Sequence, residues 1–164
     1  MSSGGPRLVA VDTNTLVYWL DSGEDAALIQ RTKWLFELLG EEKAQVVLPS
    51  VVVAEFLVKV PEEQRDETLA ELSQAFIIHP FDAVATTTAA LLWNVGRPQR
   101  MSKKPGTREA LKADTLLVAT AHAAGAKIIY THDKQLRKLA GQVMKAEDLP
   151  EVGGNLFTNA GLLD

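Results

Sequence analysis

Four carboxylates stand where the local pattern calls for other residues. Asp12 closes the β-branched run RLVAVD at residues 7–12. Glu55 lies inside VVVAEFLV, and three of its four neighbours one helical turn away (Val51, Val52 and Val58, with Lys59 the exception) are apolar. Asp114 has Ala110, Leu111, Leu117 and Val118 on the flanking turns of a helical pattern, although aspartate is a poor helix former. Asp133 follows Tyr130-Thr131-His132 at the end of another β-branched run. Each has a simpler reading. Asp12 and Asp133 are good N-caps for the helices that follow; Glu55 can pair with Lys59; Asp114 can be a buried aspartate bonded to backbone.

Taken together they point to chemistry. In open α/β sheets the carboxyl ends of strands line the ligand crevice. Two of the acids come from strand ends and two from inward helix faces, so one edge of a sheet can gather all four. Such a group repels itself by several kcal/mol unless it is protonated or offset by cations. Hard divalent ions with oxygen ligands, Mg²⁺ or Mn²⁺, are the natural counter-charge.

The elements that must position these acids alternate. Strands are expected at Arg7–Asp12, Gln45–Leu48, Phe76–His79 and Lys127–Thr131, with a fifth, edge strand at Val143–Lys145. Helical spacing runs from Asp25 to Leu39, with Gly40 placed to end the helix. Ser50 is expected to cap a helix reaching about Val60, and Pro61 with the following acids opens the next. Asp82 is expected to cap a helix ending near Gly96, Thr107 one ending at Gly125, and Asp133 a short one ended by Gly141. The segment Arg97–Gly106, with two prolines and a glycine, reads as a mobile loop. Strands alternating with helices imply a parallel sheet with helices on both faces.

Size and composition are those of one ordinary domain. The 164 residues are 46% apolar and 23% charged, which argues against disorder. Residues 1–6 read as a flexible tail, 7–150 as the domain, and 151–164 as a second tail packing on or trailing from it. There is no cysteine, which excludes disulfides, thiolate zinc sites and cysteine nucleophiles and fits a reducing cytoplasm. No apolar run approaches the roughly 18 residues of a membrane span. Net charge is −4, but it is unevenly spread. Arg97, Arg100, Lys103, Lys104, Arg108 and Lys112 face one acid, Glu109, within Arg97–Lys112, a net +5 that leaves −9 on the rest. That block is either a solvated surface or a set of phosphate contacts.

The ordered motifs resemble the PIN-domain ribonucleases. The resemblance rests on Val-Asp12-Thr-Asn14, on Glu55 after Pro-Ser-x-x-x-x-Glu, on Lys112-Ala-Asp114 followed by Ala119 and Ala121, and on Thr131-His-Asp133. It covers about Arg7 to Lys145. The nearest subgroup is the VapC type, the toxin halves of bacterial or archaeal toxin–antitoxin pairs. The resemblance implies a three-layer α/β/α sandwich around a central, mainly parallel sheet of four to five strands. It also implies divalent-metal-dependent cleavage of RNA by activated water, a small antitoxin partner and a homodimer. Carried over, Asp12, Glu55, Asp114 and Asp133 form the metal-binding and catalytic set, with Glu55 either a ligand or the holder of a ligating water. Asn14 and Thr131 lie beside the first and last acids as polar support or substrate contacts, Thr131 orienting a carboxylate or a phosphate. Arg100, Lys103, Lys104, Arg108 and Lys112 would touch the RNA backbone. The long Arg97–Gly106 segment departs from the tighter link expected of the family.

Other readings are weaker. Asp12-Thr-Asn14-Thr15 resembles the Asp-x-Asp-x-Thr motif of haloacid dehalogenase-type phosphatases, but Asn14 cannot supply the proton that the second aspartate provides. No glycine-rich phosphate loop is present, which argues against an NTPase. A non-catalytic or partner-silenced RNA-binding module in RNA processing is the alternative from another class. His79, His122 and His132 have no metal-ligand spacing, though His132 adjoins Asp133 and can touch substrate. Trp19, Trp34 and Trp93 are expected in the core or a dimer interface, and Tyr18, Trp19 and Phe56 are the alternative partner patch.

Overall fold

The computed structural model describes residues 5–20, 22–100 and 106–156. Its centre is a wholly parallel five-stranded sheet: β1 (Leu8–Val11), β2 (Gln45–Pro49), β3 (Ile77–His79), β4 (Ile128–Tyr130) and β5 (Lys145–Glu147), in the order β3-β2-β1-β4-β5. Ala10 pairs with Val47 on one side and Ile129 on the other. A central parallel strand is covered on both faces, which requires a continuous apolar run. Val9, Ala10 and Val11 meet that requirement with no exposure.

Seven α-helices connect the described strands: α1 (Thr13–Trp19), α2 (Ala26–Glu41), α3 (Ser50–Val58), α4 (Arg65–Ala75), α5 (Ala83–Arg100), α6 (Thr107–Ala123) and α7 (Lys134–Ala140). Glu62–Gln64 form a short 3₁₀ turn before α4. The chain moves outward from β1 through β2 to β3, then returns across the sheet through α5 and α6 to β4. Direction therefore reverses between β1 and β4. Right-handed crossovers convert that reversal into helices on both faces, giving the three-layer sandwich.

Helix ends depart from expectation at several places. Gly40 lies within α2, and the chain turns instead at Lys43, whose φ is 55°. Pro49, not Ser50, is the N-cap of α3, so Ser50 is already helical. Gly96 does not end α5. A Cβ there would lie 2.6 Å from Leu111 Cδ1 and 3.2 Å from Leu139 Cδ1, so its missing side chain lets α5 approach α6 and α7 closely. The helix carries on through Pro98 to Arg100, so residues 97–100 are helical rather than looped. Gly106, at φ 89°, caps α6 in the left-handed conformation that favours glycine, leaving Thr107 inside the helix. β5 spans Lys145–Glu147 rather than Val143–Lys145. Asp82 and Asp133 do cap their helices, accepting from Ala85 N at 3.0 Å and from Gln135 N at 2.8 Å.

The described residues beyond β5, 148–156, lie along α2. The Arg31 guanidinium donates to the Leu149 and Pro150 carbonyls, Trp34 Nε1 donates to Gly154 O at 2.7 Å, and Leu149 and Leu156 are buried. Trp19 packs edge-on against Phe76 with centroids 4.8 Å apart, beside Phe36. Phe56 is only 9% exposed, so it belongs to the core and not to a surface patch.

Candidate active site

The reversal between β1 and β4 puts the carboxyl ends of those strands side by side, the position where open α/β sheets bind ligands. Asp12 leaves β1 there, and Thr131 and Asp133 leave β4. α3, which follows β2, brings Glu55, and α6 brings Asp114. All four acids line one cleft of about 180 Å³, together with Thr13, Asn14, Lys59, Leu117 and Leu136.

Asp12 is 5% exposed, and its charge is met by hydrogen bonds on both oxygens. Oδ1 accepts from Thr15 N at 2.9 Å and Thr15 Oγ1 at 2.6 Å, while Oδ2 accepts from Thr131 Oγ1 at 2.5 Å. The N-cap and cleft readings of Asp12 are thus not exclusive, since one carboxylate does both. The same holds for Asp133, whose Oδ1 accepts from Gln135 N and Leu136 N at 2.8 and 3.1 Å. Glu55 is half-buried and accepts from Thr13 Oγ1 at 2.7 Å. It forms no ion pair with Lys59 among the described residues. Asp114 is half-buried on α6 and faces the cleft.

Thr131 is fully buried, and its hydroxyl joins two acids. It donates to Asp12 and accepts from the Asp133 amide at 3.1 Å. That hydroxyl is taken up by the Asp12 carboxylate and the Asp133 amide and, being buried, is not presented to a phosphate. Asn14 is exposed on the first turn of α1 at the cleft. Arg108 and Lys112 are exposed on α6 outside the cleft lining. Arg100 ends α5, and Lys103 and Lys104 lie outside the described residues. His132 is exposed, with its Nδ1 donating to Asp148 Oδ1 at 3.0 Å.

The donor set is entirely hard oxygen, which suits Mg²⁺ or Mn²⁺ and does not suit softer metals. Asp133 Oδ2 and Glu55 Oε1 carry no hydrogen bond among the described residues. No three acidic or histidine side chains among the described residues converge within ligating reach of one point. A shared ion would therefore need the outer carboxylates to swing inward, which Glu55 and Asp133, each held through one oxygen, permit.

Sequence reasoning weighed Lys59 only as a partner for Glu55, yet it lines the cleft as its sole described cation. The i, i+4 spacing from Glu55 on α3 to its C-cap residue Lys59 already put both on one side. Arg137 and Asp148, which hold the Thr131 carbonyl and the His132 ring, belong to no motif and no periodic pattern.

The PIN domain family model matches residues 9–142, and the chain belongs to that family. Solved structures share its fold. A chain of the VapBC2 complex from Rickettsia felis, bound to a promoter DNA fragment, is 19% identical with a TM-score of 0.60, over 86% of this chain and 98% of that one. VapBC-1 from nontypeable Haemophilus influenzae gives 15% and 0.63, over 87% and 98%. FitAcB from Neisseria gonorrhoeae gives 18% and 0.55, over 85% and 96%. No curated protein matches the sequence. No helix among the described residues is long and apolar enough to cross a membrane.

Proposed function

We propose that this PIN-domain protein is a divalent-metal-dependent endoribonuclease and the toxin component of a toxin–antitoxin pair. The observation that carries the reading is the convergence of four carboxylates, from four separate segments, on one cleft at the reversal point of a PIN fold. Asp12, Asp114 and Asp133 would hold Mg²⁺ or Mn²⁺, with Glu55 as a further ligand or the holder of a ligating water. When bound, such an ion activates water and offsets charge on the phosphate.

The chain's own residues do the rest. Thr15 and Thr131 fix Asp12 through three hydrogen bonds, so its direction is set before substrate arrives. Thr13 holds Glu55 through one oxygen only and leaves the other for an ion or its water. Lys59 gives an acidic cleft a positive charge for a phosphodiester oxygen. Arg100, Lys103, Lys104, Arg108 and Lys112 are proposed to contact the RNA backbone. In-line attack of water leaves a 5′-phosphate and a 3′-hydroxyl.

The similar folds are found in VapBC complexes, which supports a small antitoxin partner for this chain. A homodimer and a cytoplasmic location belong to the same proposal. The test is cleavage of total RNA by purified protein with Mn²⁺, Mg²⁺ or EDTA, alongside Asp12→Asn and Asp114→Asn. Discrete metal-dependent cuts that disappear in both variants are expected. Absence of cutting by folded, partner-free protein would move the chain to the non-catalytic RNA-binding reading.

A further inference from the structure

Beside the exit of β4, one carboxylate gathers side chains from three parts of the chain. Asp148 Oδ1 accepts from His132 Nδ1 at 3.0 Å and from the Leu149 amide at 2.7 Å. Arg31 Nη2 lies 3.4 Å away and Arg137 Nη1 3.6 Å. Arg137 Nη1 in turn donates to the Thr131 carbonyl at 2.7 Å. The Thr131 amide donates to the carbonyl of Glu147, the residue before Asp148, at 3.0 Å.

Every polar group of Thr131 is thereby spoken for. Its amide and carbonyl are fixed by Glu147 and Arg137, and its hydroxyl is turned toward Asp12 and the Asp133 amide. Residue 132 is gripped directly through its ring. We propose that Asp148 is the positioning residue of the cleft wall at 131–133, setting where Asp12 and Asp133 stand without touching substrate itself. Arg31 and Arg137 are the two cations it holds, and Arg31 anchors the arrangement to α2 through the Leu149 and Pro150 carbonyls. This inference rests on the nuclease reading only for what the cleft binds; the grip on Thr131 stands by itself.

The experiment compares Asp148→Ala with wild type and with Glu151→Gln. Glu151 is the exposed second carboxylate beside Arg31, 3.6 Å away, and serves as the control. Four quantities are measured on the full chain: melting temperature, hydrogen exchange of the Asp133 amide, Mn²⁺ affinity, and kcat and KM on a cleaved RNA. In Asp148→Ala the Asp133 amide should exchange faster. Mn²⁺ affinity and kcat should each fall about 10- to 100-fold, the usual effect of removing a group that orients a metal ligand, with KM unchanged. Glu151→Gln should match wild type in all four. A lower melting temperature with Asp133 exchange and Mn²⁺ affinity unchanged would overturn the proposal, because Asp148 would then only hold the chain end down. If wild type neither binds Mn²⁺ nor cuts RNA, the nuclease reading falls, and Asp133 exchange alone decides the positioning role. Should Asp148→Ala not fold, Arg137→Gln breaks the same link at its second joint and must give the same faster exchange.

Discussion

Thr131 and Asp12, 119 positions apart in sequence, are joined by a buried hydroxyl-to-carboxylate hydrogen bond of 2.5 Å. The same hydroxyl accepts from the Asp133 amide, so the exits of β1 and β4 are held at a fixed distance. Removing it strands a buried carboxylate oxygen and a backbone donor. Thr131→Val should cost about 1–3 kcal/mol of stability in urea unfolding and depress cleavage. Thr131→Ser keeps the hydroxyl and should retain most of both, so equal losses in Val and Ser would point to packing instead.

Asp12→Asn preserves an oxygen that can accept from Thr15, so the first turn of α1 should survive. Its cleavage rate should fall about 100-fold or more, equivalent to roughly 3 kcal/mol of transition-state stabilisation. Asp114→Asn should behave alike. EDTA should abolish wild-type cleavage reversibly, with Mn²⁺ or Mg²⁺ restoring it and the EDTA-treated protein showing an intact fold by circular dichroism.

Lys59 is exposed, so replacing it leaves the core unchanged. Lys59→Ala should raise KM for RNA roughly 5- to 10-fold, about 1 kcal/mol for one charge-assisted contact, with an unaltered melting temperature. An unchanged KM would remove Lys59 from the substrate path.

Arg108 and Lys112 are exposed on the amino-terminal half of α6. If both meet phosphates, binding of a catalytically dead variant to single-stranded RNA should weaken steeply with salt. Replacing each by Ala should reduce the slope of log affinity against log salt by about 0.7. A slope that does not change would leave these cations as ordinary solvated surface.

Acid should weaken the cluster that Asp148 holds. Burial pushes the Asp148 carboxyl up, but hydrogen bonds from His132 and the Leu149 amide and the charges of Arg31 and Arg137 outweigh it, holding the group below its ordinary value of 3.8. A carboxyl depressed in the folded state stabilises fully above its unfolded value, and that contribution disappears as pH falls through the folded value. The stability difference between wild type and Asp148→Asn, measured by urea unfolding, should be largest at neutral pH and shrink below pH 3.8. A difference independent of pH would show that the charge of Asp148 is not what stabilises.

Glu55 and Asp114 were legible because each conflicts with its surroundings, and Asp12 and Asp133 because each closes a β-branched run. A carboxylate between Val51 and Val58, or between Leu111 and Leu117, has no local reason to exist, and pattern alone exposes it. The order of strands and helices was legible from runs such as Val9-Ala-Val11 and Val46-Val-Leu48, whose burial on both faces leaves no polar positions. Helix ends were not, because glycine is ambiguous. Gly40 sits in a helix with open space around it, whereas Gly96 sits in one because Leu111 and Leu139 crowd it, and only tertiary contact separates these cases from a stop. The Asp148 cluster was invisible for a related reason: its members come from α2, the exit of β4, α7 and the segment after β5, and no spacing connects them.

The cleft draws its parts from residues 12–14, 55–59, 114–117 and 133–136, and its brace from residue 148. During synthesis these arrive in that order, so a growing chain that stops short of Thr131 lacks the hydroxyl joining Asp12 to Asp133, and lacks the last carboxylate as well. The cleft and its brace are therefore complete only once the last of these segments has been made.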